Sequence, residues 1–159
     1  MRRMFLPLVV IAAACQQPAP PLTEQQQTAI ADTIRQLADT YMQDIRAVDF
    51  DRVMAAYGPE LVWAENAVLA ANRDSLVTAW RAILATWREV TRAAWGETHV
   101  KVLGPDAAVI SAAFDWAGVD TAGAAMGTRG AWTAVYVRTD AGWKVAHAHE
   151  SWVPAPTPM

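Results

Sequence analysis

A chain of 159 residues with 53% hydrophobic residues and 8 Trp is long enough to bury one core and still has aromatic area to spare for a pocket or an interface. Its formal charge of −3 becomes −5 once Arg2 and Arg3 are set aside, because 11 Lys and Arg then face 16 Asp and Glu. That balance leaves no basic patch of the kind that holds nucleic acid or an anionic membrane surface.

The N-terminus carries an address. Met1-Arg2-Arg3-Met4 is a short basic region, Phe5 to Ala14 is an apolar run too short to span a bilayer, and Ala12-Ala13-Ala14 supplies small residues for a signal peptidase, so residues 1–14 read as a secretory signal. Cys15, the chain's one cysteine, follows directly, and Ile11-Ala12-Ala13-Ala14-Cys15 resembles a bacterial lipobox, with Ala12 where Leu is usual. The alternative is an ordinary A-x-A cleavage site that happens to precede Cys. A lipidated Cys15 would anchor the chain to the bilayer and leave no thiol for disulfides. Gln16, rather than Asp, at the next position suggests the outer membrane, facing the periplasm. Residues 15–22 then form a Pro-rich tether, residues 154–159 a frayed tail, and residues 23–153 a single domain.

Thr23-Glu24-Gln25-Gln26 has a capping-box pattern. The apolar positions Ile30, Ile34, Leu37, Tyr41, Ile45 and Val48 follow at spacings of three and four, which predicts a long amphipathic helix. Asp49 caps a second, shorter helix through Phe50, Val53, Met54 and Tyr57, ended by Gly58-Pro59. Glu60 to Glu65 reads as a strand and Val68 to Ala71 as its short return. Asn72 is an N-cap for a third helix, with Leu76, Trp80, Ile83, Trp87 and Val90 as its buried stripe.

From Ala93 the period changes to two. Trp95 to Leu103, Ala107 to Trp116, Ala131 to Thr139 and Trp143 to Val153 are predicted strands, joined by Gly104-Pro105-Asp106, the Ala/Gly-rich run Ala117 to Gly130, and Asp140-Ala141-Gly142. The expected architecture is α+β, with a curved antiparallel sheet wrapped around three N-terminal helices to form a cone with an internal cavity. The run Ala117 to Gly130 is long enough to serve as a lid, or is an idle insertion. In the last strand, strict alternation turns Trp143, Val145, His147, His149 and Ser151 inward as a pocket floor, with Lys144, Ala146, Ala148, Glu150 and Trp152 outward.

The element order, with Thr98 to Ala108 and the closing Gly142-Trp143-Lys144-Val145-Ala146-His147-Ala148-His149-Glu150-Ser151, resembles the nuclear transport factor 2-like superfamily. Within it the chain is similar to the SnoaL-like and ketosteroid-isomerase-like branch, which includes the association domain of calcium/calmodulin-dependent kinase II. The resemblance spans nearly all of Thr23 to Val153. It implies a dimer whose conical cavity holds a small apolar molecule, and a range of isomerase, cyclase and dehydratase chemistries that fold alone does not choose among.

Several residues are candidates for that cavity. His147 and His149 are spaced to share a ligand or a proton; otherwise they brace the wall through backbone hydrogen bonds. Only His99, on another strand, would offer a third imidazole, so no metal is expected, nor is any cofactor. Glu65 shares a face with Trp63, and a carboxylate desolvated by an indole is a candidate general base, unless it sits in water at the strand end. Tyr41 on the first helix is a candidate donor into the cavity or a core residue, and Trp80, Phe114 and Trp116 are candidate lining residues. Asp115 is expected to point away from the cavity, into a subunit interface. Apolar side chains on both faces of the Trp132 strand suggest that a second subunit covers the outer sheet face. The functional expectation is a lipid-anchored envelope protein that binds a small, largely apolar molecule. The alternatives are an isomerase, dehydratase or hydrolase using Glu65 or a histidine as base, and a dimeric scaffold without ligand.

Overall fold

A computed structural model describes residues 20–70 and 72–154. The expected signal, Cys15, most of the expected tether, Ala71 and the residues beyond Pro154 lie outside the described residues. The elements run α1 (Glu24–Arg46), α2 (Phe50–Ala55), β1 (Tyr57–Glu65), β2 (Val68–Ala70), α3 (Arg73–Leu84), β3 (Trp87–Gly104), β4 (Ala107–Asp120), β5 (Ala125–Thr139) and β6 (Gly142–Pro154).

The three helices start where the capping chemistry places them. The Thr23 hydroxyl accepts from the Gln26 backbone N–H at 3.2 Å while the Gln26 amide oxygen accepts from the Thr23 N–H at 2.9 Å, which satisfies donors that the first turn leaves open. Asp49 and Asn72 cap α2 and α3 in the same way, accepting from Arg52 N–H and Ser75 N–H.

The strands form one curved, open, six-stranded sheet in the order β2-β1-β6-β5-β4-β3. β3 to β6 are a meander of antiparallel neighbours, whereas β1 lies parallel to β6. That parallel pair is a departure from the all-antiparallel expectation, and it joins the first strand to the last across the whole chain. Ile30, Ile34, Tyr41 and Ile45 of α1 and Leu76 and Trp80 of α3 are buried against Ile110, Ala134 and Val145 of the sheet. Trp132 stacks on Tyr41 at 5.8 Å and on Trp95 at 5.3 Å. The Trp95 indole also donates to the Ala38 carbonyl at 2.9 Å, fixing α1 across the sheet.

Four further expectations are corrected. Tyr57 begins β1 instead of ending α2, and Gly58-Pro59 lies inside that strand, where the pairing with β6 jumps from Tyr57↔Val145 to Val62↔His147; the irregular stretch absorbs a proline that has no N–H to offer a regular ladder. α3 stops at Leu84, and Trp87 and Val90 belong to β3, which starts one turn later at a stretch rich in aromatic and β-branched residues.

The run Ala117 to Gly130 is no lid. β4 continues to Asp120 and β5 begins at Ala125, and the Asp120 carboxylate closes the turn by accepting from the N–H groups of Ala122 and Ala124 at 2.9 and 2.8 Å. Two of its glycines reflect close packing: a Cβ on Gly118 would reach within 2.8 Å of the Trp87 ring, and one on Gly130 within 2.8 Å of the Phe114 ring. The fourth correction concerns the face that the histidines take.

Candidate functional site

β6 does not alternate strictly. Its pairing with β5 steps from Val135↔His147 to Tyr136↔Val145, which leaves Ala146 as an extra residue. A one-residue bulge exchanges the two faces beyond it. Val145 points into the core, but past the bulge Ala148 and Glu150 are the buried positions, while His147 and His149 are exposed. The pocket-floor arrangement of Trp143, Val145, His147, His149 and Ser151 is therefore corrected: the histidines lie on the outer sheet face. There His149 aligns with Thr133, Ser111 and His99 on successive strands, Ser111 and Thr133 sharing a hydroxyl hydrogen bond of 2.9 Å. His99 pairs with Glu97 at 2.8 Å.

The same bulge brings Glu150 inward beside Glu65. The two occupy matched positions on the parallel strands β6 and β1, which ordinary sheet spacing sets about 4.8 Å apart. They are 7% and 9% exposed. Asn66, at φ 48°, turns the chain immediately after Glu65. Its N–H donates to the Glu150 carbonyl at 3.0 Å, and its side-chain oxygen accepts from the Trp152 N–H at 3.2 Å. One tight turn thus fixes both strand ends, with Asn in the left-handed conformation it tolerates well.

Both carboxyl groups border a cavity of about 530 Å³. α3 and the residues after it contribute Trp80, Ile83 and Trp87; β4 contributes Phe114 and Trp116; β5 contributes Met126 and Thr128; and Trp152 closes the β6 side. The aromatic wall is continuous, with Trp80 edge-on to Trp116 at 5.6 Å and Phe114 against Trp116 at 5.3 Å. The Trp152 indole N–H donates to a Glu65 carboxylate oxygen.

Electrostatics divides the pair. Burial, and then the charge of Glu65 beside it, push the Glu150 carboxyl up to about 8, so at neutral pH Glu150 carries a proton. The cavity floor thereby combines a carboxylic acid able to donate with a carboxylate able to accept. Such a pair can hold a polar group on an otherwise apolar molecule or move a proton to and from it.

Of the residues expected to bind ligand, Glu65, Trp80, Phe114 and Trp116 meet at this cavity. Tyr41 does not: its hydroxyl is 2.9 Å from that of Tyr57 in the core, and it borders a separate hollow of about 320 Å³ with Asp44, Arg52 and Lys144. Burial, and then the neighbouring phenol, hold the Tyr41 hydroxyl well above its usual range. Trp63 is buried, with no hydrogen-bond partner for its indole nitrogen, and does not line the cavity. Asp115 lies away from the cavity, paired with Arg92. The residues missed are Glu150 and Trp152, whose parity with Glu65 depends on the bulge at Ala146.

A profile of the SnoaL-like domain matches residues 34–156. Among solved structures, the chain is similar to a nuclear transport factor 2-like protein of Salmonella enterica serovar Typhimurium, with 19% identity over 83% of this chain and 96% of that one and a TM-score of 0.70. It is also similar to a nuclear transport factor 2-like protein of Pseudomonas putida, with 24% identity, coverage of 83% and 90%, and a TM-score of 0.66. A ketosteroid isomerase-like protein of Erwinia carotovora gives 19% identity, coverage of 80% and 97%, and a TM-score of 0.67. No curated protein matches the sequence.

Proposed function

The chain belongs to the SnoaL-like family, and from that premise we propose that it is a lipid-anchored envelope protein whose cone binds a small, largely apolar molecule. The observation that carries the binding reading is the cavity itself, about 530 Å³ walled by Trp80, Trp87, Phe114 and Trp116, with its ionisable groups confined to Glu65 and Glu150. Pockets of this size and apolar character suit small organic molecules oriented by a few polar groups. Native mass spectrometry of the purified protein tests it. A copurifying mass that disappears on denaturation is expected; a bare polypeptide whose tryptophan fluorescence answers to no member of an apolar small-molecule panel overturns the reading. The anchor rests on the Cys15 context and is checked by the mass of the mature N-terminus, which should carry acyl chains.

A second reading is favoured by the unequal protonation of the pair. Glu65 as general base and protonated Glu150 as acid suit an isomerase or dehydratase, in which one group takes a proton from carbon while the other steadies the developing oxyanion. The histidines have no part in this reading. It requires a bell-shaped pH–rate profile whose acidic limb is lost in Glu65→Gln.

The subunit arrangement proposed is a homodimer through the outer sheet face, where half-buried Val62, Val109, Val135 and Val137 surround the Ser111–Thr133 pair.

A further inference from the structure

The cavity has an unbalanced charge. Glu65 and Glu150 are each more than nine-tenths buried, yet neither forms an ion pair among the described residues, and no Arg, Lys or His lines the space they open into. Glu65 has one neutral donor, the Trp152 indole. Buried carboxylates are ordinarily matched by a cation or by several donors, because removing a bare charge from water costs far more than one neutral hydrogen bond returns. In the empty cavity a proton on Glu150 limits that cost. A ligand able to replace the proton as counter-charge would satisfy both groups.

The walls point the same way. Trp80, Trp116, Phe114 and Trp152 line the same cavity as the two carboxyl groups. Indole faces attract cations, most strongly where water is excluded. An anionic ligand would meet the charge of Glu65 with no basic residue to offset it.

Resting on the reading that the cavity is occupied by a small, largely apolar molecule, we propose that this molecule carries one positive charge, as an amine or quaternary ammonium. Its head lies at Glu65 and Glu150, and its hydrocarbon part lies against Trp80, Phe114 and Trp116.

Two probes of nearly equal shape isolate the charge: phenyltrimethylammonium and its uncharged isostere tert-butylbenzene, each titrated into the full chain with tryptophan fluorescence as readout. The cation should bind at least about tenfold more tightly, the scale of a desolvated cation–π contact with a charge partner. In the double variant Glu65→Gln/Glu150→Gln the two probes should bind alike, tert-butylbenzene keeping its wild-type affinity and so reporting an intact cavity. Equal binding of both probes to the wild type, or tighter binding of tert-butylbenzene, overturns the cationic assignment and leaves apolar binding in place. Binding of neither probe defeats apolar binding itself. Should the double variant not fold, the wild-type ratio decides, together with Glu65→Gln alone, in which an unchanged preference for the cation also overturns the proposal.

Discussion

Replacing Glu150 with Gln should make the protein's stability nearly independent of pH where the wild type loses it. Glu150 is held at about 8 in the fold against 4.5 when free. Between those values the native state keeps a proton that the unfolded chain has released. The unfolded state then binds fewer protons, so stability falls as pH rises through this window and levels off above about 8. At about 1.4 kcal/mol for each tenfold change in the protonation equilibrium, the full loss is at most about 5 kcal/mol, comparable with the total stability of many domains. Glutamine has nearly the shape of the protonated acid and cannot ionise, so it removes the slope. Urea denaturation of both proteins at pH 5, 6.5 and 8, followed by tryptophan fluorescence, is the assay. At pH 5 the midpoints should be close, and at pH 8 the variant should be more stable by several kcal/mol. Parallel pH dependences in the two proteins would refute the view that Glu150 is a buried, neutral acid.

His147→Ala and His149→Ala, on the outer face, should leave the affinity of the cavity for an apolar probe within about twofold of wild type, as read by fluorescence titration. Gly130→Ala places a Cβ 2.8 Å from the Phe114 ring and 2.9 Å from the Trp152 backbone; it should cost about 1–3 kcal/mol or more by overpacking, seen as a lower urea midpoint. Thr23→Ala removes one half of the capping box and should lower stability by about 1 kcal/mol in the same assay.

Much of the fold was legible because its signals are local. The caps at Thr23, Asp49 and Asn72, the helical spacing from Ile30 to Ile45, and the change to a period of two after Ala93 each require only neighbours in sequence. The misplaced boundaries have one origin: residues whose local pattern fits two states, decided by tertiary pairing. Trp87 and Val90 continue the helical spacing of α3 but pair with Asp120 and Gly118 in β4, and Ala117 to Gly130 looks like a loop until Gly118 and Gly130 are seen packed against aromatic rings. Half of the candidate ligand set lines the cavity, for a related reason. Glu65, Trp80, Phe114 and Trp116 lie on elements with regular periodicity, whereas His147, His149, Glu150 and Trp152 follow an irregularity that leaves no mark in the residue types.

That irregularity decides the chemistry of the site. Without the bulge, a strictly alternating β6 would carry the side that now holds Val145 on through His147 and His149, and the cavity would be lined by imidazoles. With it, the cavity receives a second carboxyl group, at the level of Glu65 and 85 positions away in sequence, given by 150 − 65. A parallel pairing is what makes the match possible, since β1 and β6 then end together at the same rim. Two acids brought to one rim by distant segments cannot be seen as a pair in the sequence, and their shared need for a counter-charge exists only in the folded chain. The loss of the histidines and the gain of the acid pair are therefore one structural event, and deleting Ala146 should preserve its outcome, because regular alternation from inward Val145 would still turn His147 and His149 outward and Ala148 and Glu150 inward. The deletion variant, if it retains the wild-type far-UV circular dichroism, should keep the pH-dependent destabilisation assigned to Glu150. A deletion variant that folds and loses that pH dependence would show that alternation from Val145 does not set the face of Glu150.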